Sequence, residues 1–128
     1  PPTIALPTTT PMLKPEYACD IINQRPFDDT KFHPKDGFLI KWTLVNIGTK
    51  KWESGTYLEY QSGPLMTKVT SLELHKLKPG EQYEVILPAV APTEKDRQVM
   101  VWVVKGPGET NDSFYWMCYP YIRIIVAK

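Results

Sequence analysis

Acid–base, metal or redox chemistry in this chain of 128 residues would have to come from two histidines, two cysteines and fourteen aspartates and glutamates. His33 and His75 stand far apart, with no neighbouring cysteine and no helical partner spacing, so both read as surface residues and not as metal ligands. Asp28, Asp29 and Asp36 surround His33 and, with loop carbonyls, could offer oxygen to calcium, but their spacing matches no calcium loop. Glu59 and Glu84, expected on neighbouring strands, have the residue types of a glycosidase pair; each falls on a polar face, where solvated charge is the ordinary reading. No G-x-S-x-G, H-E-x-x-H or phosphate-binding glycine loop occurs. The chain is expected to be no enzyme and to hold neither metal nor cofactor.

Cys19 and Cys118 are too distant for a C-x-x-C redox or zinc motif. First and last strands of an antiparallel sandwich often lie close, so a Cys19–Cys118 disulfide is geometrically plausible. It would close a loop of about 100 residues and contribute roughly 4 to 5 kcal/mol. Two buried free thiols are the alternative. Binding chemistry is better supplied. The run from Phe114 to Tyr121 has aromatics on both faces of whatever it forms, and only one face can enter a core. Tyr115, Trp116, Tyr119 and Tyr121 thus hold the candidates for an exposed recognition surface, to which Tyr57, Tyr60 and Trp52 could add. Such rings present rigid contact area to a peptide, a protein or a sugar face. A covered edge without function is the competing reading, and for Trp52 a buried plug at one end of the fold.

These side chains need strands to position them. Phe38, Ile40, Trp42 and Leu44 recur every second residue, the pattern of a half-buried strand, and Asn46-Ile47-Gly48 stops it. Short strands are predicted at Tyr17 to Ile22, Thr56 to Gln61, Glu81 to Leu87, Gln98 to Lys105 and Tyr121 to Val126, with a weaker one within Val69 to Leu77. Asn23 to Gly37 reads as a surface loop dense in turn formers, and Gly106 to Asp112 as another. At Lys78-Pro79-Gly80, proline presets φ and glycine supplies the positive φ of a type II turn. Phe38, Ile40, Trp42, Leu44 and Trp102 are the predicted structural core, with Trp42 and Trp102 packed across it. The result is an all-β antiparallel sandwich of about seven strands occupying residues 16–128, behind a Pro/Thr-rich linker at 1–15.

Charge is balanced, Lys+Arg 15 against Asp+Glu 14, and scattered, so nothing recruits nucleic acid or an anionic membrane by long-range field. No apolar run is long enough to span a bilayer by helix, and the first residues lack the charged and apolar regions of a signal peptide, the pattern of a cytoplasmic chain or of one whose signal has been trimmed away. Pro/Thr spacers commonly separate an upstream membrane anchor from an exported domain, so the expected location is extracytoplasmic, at the cell surface or secreted.

The order Phe38-x-Ile40-x-Trp42-x-Leu44-x-Asn46-x-Gly48, then Trp52, Leu58, the Leu77-to-Gly80 turn, Ala91-Pro92 and Trp102 resembles the immunoglobulin-like four-tryptophan domain. That domain is best known from the neighbour-of-breast-cancer-gene autophagy receptors and also occurs in exported bacterial proteins. The resemblance covers roughly Tyr17 to Val126. Asp96-Arg97 stands where the family usually has a glycine, and Trp116, Tyr119 and Tyr121 share the claim to the fourth-tryptophan place. The resemblance implies a non-catalytic module that binds a protein or peptide. The leader and cysteines point to the exported bacterial branch. An architectural spacer and a carbohydrate-binding module are the alternatives.

Overall fold

The computed structural model describes residues 16–107 and 114–127. The linker expected at 1–15 and most of the loop expected over Gly106 to Asp112 lie outside the described residues; Gly106 and Pro107 instead finish a strand. Nine strands run in chain order: β1 (Cys19–Arg25), β2 (Thr30–Phe32), β3 (Gly37–Asn46), β4 (Tyr57–Ser62), β5 (Ser71–Glu73), β6 (Gln82–Val90), β7 (Asp96–Pro107), β8 (Phe114–Cys118) and β9 (Tyr121–Val126). One sheet has three strands in the order β1-β3-β6. The other has six, in the order β2-β9-β7-β4-β5, with β8 also on β7. This is the two-sheet β-sandwich that the alternation predicts, immunoglobulin-like as the resemblance implies, with short strands added at β2 and β8.

Side-chain alternation builds the core. Ile40, Trp42 and Leu44 of β3 and Val85, Leu87 and Ala89 of β6 point inward from the small sheet. Leu58, Met100, Trp102, Val104, Ile122 and Ile124 meet them from the large one. Each of the valine, leucine, isoleucine and methionine side chains contributes roughly 1.5 to 3 kcal/mol by leaving water. Trp42 and Trp102 face one another with ring centres 5.9 Å apart and planes tilted by 59°. The Trp42 indole N–H crosses between the sheets and donates to the Tyr121 carbonyl at 3.1 Å. Phe38 sits at the margin, half-buried and stacked on Phe32 of β2 at 4.5 Å.

Asn46 ends β3 and holds the adjoining turns together. Its buried amide donates to the carbonyls of Lys50 (2.9 Å) and Leu77 (2.8 Å), and its side-chain oxygen accepts the Gly48 N–H at 2.8 Å. At Gly48 a Cβ would stand 2.3 Å from the Glu16 carbonyl oxygen, so only glycine lets the two backbones meet. The Lys78–Glu81 turn has the geometry its sequence asks for: Gly80 has φ of +85°, and Glu81 N–H returns to Lys78 C=O at 2.9 Å.

One long strand organises the large sheet. Along one edge of β7, its first half pairs with β9 and its last four residues with β8. Between them Tyr119-Pro120 breaks the edge, and Trp102 N–H bridges the break by donating to Pro120 C=O at 2.8 Å. The disulfide joins Cys19 of β1 to Cys118 of β8, tying the sheets together beside this break.

Candidate binding groove at the disulfide corner

Beside the disulfide, β1 of the small sheet and the β8–β9 break of the large one frame an open groove of about 670 Å³. Ile21, Ile22 and Gln24 form one wall, Tyr119, Pro120 and Tyr121 the other, and Phe27 and Asp28 close one side. A bulge between Ile21 and Asn23 re-aims Ile22 outward, leaving it 48% exposed. Phe27 is 64% exposed and Tyr119 43%. Three large apolar side chains in one concavity facing water are costly for a domain to keep and are a common feature of interaction sites.

The groove is held in shape by polar contacts at its margin. Asp28 accepts from Gln24 Nε2 (3.0 Å) and from the Tyr121 hydroxyl (2.8 Å), and Arg123 Nη2 lies 3.4 Å from it. Neighbouring Asp29 pairs with Arg123 Nε at 3.1 Å and Arg97 Nε at 3.4 Å. The Arg25 guanidinium sits 4.1 Å above the Phe27 ring. The hydrogen bond to Asp28 holds the Tyr121 phenol above its ordinary pKa, with burial and the Asp28 charge adding to the shift; Arg123 opposes them. Partial burial raises the Tyr119 phenol as well.

A band of aromatic residues approaches the groove over the outer face of the large sheet. Trp116 stacks on Phe114 with centres 6.0 Å apart and meets the edge of Tyr119 at 5.2 Å. Tyr57, Lys105 and Trp116 occupy one cross-strand row, and Lys105 lies 4.4 Å over the Phe114 ring while pairing with Glu59 at 2.7 Å.

The structure divides the aromatic residues singled out in the sequence. Trp116, Tyr119 and Tyr121 come together at the corner, with Tyr57 half-buried on the same face. Tyr115 does not belong to the surface: it is fully buried, stacked on Tyr17 at 5.2 Å and laid over Gly106. Burial, with the Glu53 carboxylate next in weight, pushes its phenol up. Trp52 is likewise removed, 1% exposed at the end of the core, its backbone N–H bound to Leu77 C=O. Tyr60 turns inward, its ring edge-on to Trp102 and its hydroxyl donating to Gly63 C=O.

The candidate ionic sites come apart. Glu59 and Glu84 lie on different sheets, not on neighbouring strands. Asp28 and Asp29 are engaged by arginines and Asp36 by the His33 N–H at 2.8 Å; no group of three metal-capable side chains forms among the described residues. His75 packs on Tyr83. Ile22 and Phe27 are the exposed apolar groove residues that sequence reasoning missed. Phe27 had one signal, an aromatic between proline and two aspartates in a turn-forming stretch, where no strand pattern would bury it.

The sheet order, the tryptophan pair and the Asn46–Gly48 turn define an immunoglobulin-like sandwich whose candidate site is a surface groove. Residues 26–116 match the family model described as the Ig-like domain from next to BRCA1 gene, and the chain belongs to that family. Among solved structures it is similar to the ASH / PapD-like domain 7 of human CEP192, at 16% identity over 100% of this chain and 99% of that one, with a TM-score of 0.45. Comparison with curated proteins gives no match.

Proposed function

We propose that the chain is a non-catalytic, extracytoplasmic binding module that receives a protein or peptide segment in the groove between β1 and the β8–β9 break. The observation that carries this reading is the joint exposure of Ile22, Phe27 and Tyr119 around a concavity braced by the Asp28 contacts and the disulfide. Rigid, partly exposed rings lose little entropy on binding, which suits them as anchors. The disulfide favours an oxidising compartment, and no helix among the described residues is long and apolar enough to cross a membrane. Trp42, Trp52 and Trp102 support assignment to the four-tryptophan type, with the fourth place shared between Trp116, Tyr119 and Tyr121, and the disulfide supports its exported bacterial branch.

A displayed peptide library and a glycan array, each probed with wild type and with Phe27→Ala and Tyr119→Ala, test the reading. Peptides enriched by wild type and lost by both variants are the expected result. Selective glycan capture lost in the same variants would move the assignment to carbohydrate. Equal behaviour of all three proteins in both assays would leave an architectural spacer.

A further inference from the structure

The opposite edge of the small sheet carries a second surface. Asn46 N–H donates to Glu81 C=O at 3.1 Å, and the β3–β6 register then runs without a shift from Val45↔Gln82 to Gly37↔Val90. Antiparallel pairing alternates, so odd-numbered residues of β6 bond to β3 and even-numbered ones aim their N–H and C=O away from it. Val90 fits this parity, since its N–H donates outward to Met66 C=O at 2.8 Å. Pro88 occupies another outward position, where its missing N–H costs the sheet nothing. The N–H and C=O of Glu84 and Ile86 and the C=O of Pro88 therefore form an open row, reached by no hydrogen bond from other described residues.

Apolar side chains flank that row. Ile86 is 49% exposed and Val90 51%; Leu39 lies directly across from Pro88 on the same outer face, and Leu65 stands beside Val90. Leu65, Pro88 and Val90 line a groove of about 640 Å³ whose lining includes Lys35 and Lys68 and no carboxylate. Lys41, opposite Ile86, adds a third ammonium to the outer face. A segment bearing carboxylates would meet these lysines. Glu84 lies at the far end of the open row, so the partner's carboxylates belong at the Pro88 end.

We infer that β6 is a docking edge for an extended segment of a partner protein, which adds as a strand and alternates apolar with acidic side chains. Main-chain bonds to Glu84, Ile86 and Pro88 supply the ladder, and Lys35 and Lys68 select the charge.

The probe is a fluorescein-labelled peptide of about eight residues alternating valine and glutamate, titrated into the full chain. Saturable binding is expected, with hydrogen exchange slowed at the Glu84 and Ile86 amides. Binding should weaken about tenfold or more when Lys35→Glu and Lys68→Glu are combined, or when alternate peptide amides are N-methylated. Ile86→Pro deletes one outward donor without touching a bond to β3, so it should weaken binding at unchanged Tm. If that variant does not fold, the charge reversal and the methylated peptide carry the test. Equal affinity for a valine–lysine peptide, insensitivity to N-methylation, no saturable binding, or protection confined to β1 would each overturn the inference. So would a dimer that slows exchange at Glu84 and Ile86 in the absence of peptide, because the occupant would then be a second copy.

Discussion

The small sheet has two edges, and they are finished in opposite ways. At β1 the backbone matters little to the surface: the disulfide, the Ile21–Asn23 bulge and the Asp28 contacts present rings from several segments in one rigid concavity. At β6 the side chains are aliphatic, and the open feature is the main chain itself, with Pro88 as its blunting residue. One edge is suited to recognition by shape and aromatic contact, the other by strand addition and charge. The two edges of one three-stranded sheet thus differ in what they present while sharing β3 and its core.

The largest effect is expected from removing the covalent tie. Replacing Cys19 and Cys118 together by alanine should cost about 4 to 5 kcal/mol by the chain-entropy estimate, read as a lower urea midpoint. Under native conditions hydrogen exchange should quicken at Ile21 to Gln24 and stay unchanged at Glu84 and Ile86. Equal loosening of both edges would break the comparison and make the sheet one cooperative unit.

How much of this was legible in the sequence depends on the range over which each feature is decided. Alternation over Phe38 to Leu44 and the Asn46–Gly48 signature are local, and the strand and its turn follow from them. β2 was hidden in a loop of turn formers because its three residues are held by parallel pairing to β9, about ninety positions away. The groove was only half visible for the same reason. Which of Tyr115 and Trp116 faces water depends on the register of β8 on β7, which shifts between Val104 and Lys105. Phe27 is exposed because the chain turns at Asp28 and Asp29 to reach Arg123 and Tyr121, contacts that no window around Phe27 contains. The β6 edge is legible only in part: Pro88 inside an alternating strand marks an edge, while the direction of each free amide needs the register.

A smaller effect should separate the edges by pH. The Tyr121 phenol is raised by its bond to Asp28. A group whose folded pKa is raised contributes stability fully present below its unfolded pKa, near 10.0, and lost as pH rises through the folded value. Alkaline titration should therefore loosen the β1 corner, with exchange at Asp28 and Arg123 quickening relative to Glu84 and Ile86. Asp28→Ala should bring the Tyr121 ionisation down, followed by tyrosinate absorbance and assigned with Tyr121→Phe. An unchanged titration would mean that Asp28 does not hold the corner.

The smallest effect concerns Pro88. Inside a sheet, proline removes a ladder bond and is found essentially only on edges or at bulges. Here the position faces away from β3, so Pro88→Ala should change stability by no more than about 0.5 kcal/mol, in the range of ordinary surface substitutions. The new N–H, however, extends the open row by one donor. The valine–glutamate peptide should bind the variant more tightly, by several-fold at most, while binding at the Phe27 and Tyr119 groove stays the same. A large gain of stability would show that the outward parity of β6 is misassigned, since only a new N–H aimed at β3 could add a ladder bond there. Tighter peptide binding at unaltered stability would show proline acting at this edge as a limit on pairing and not as a support of the fold.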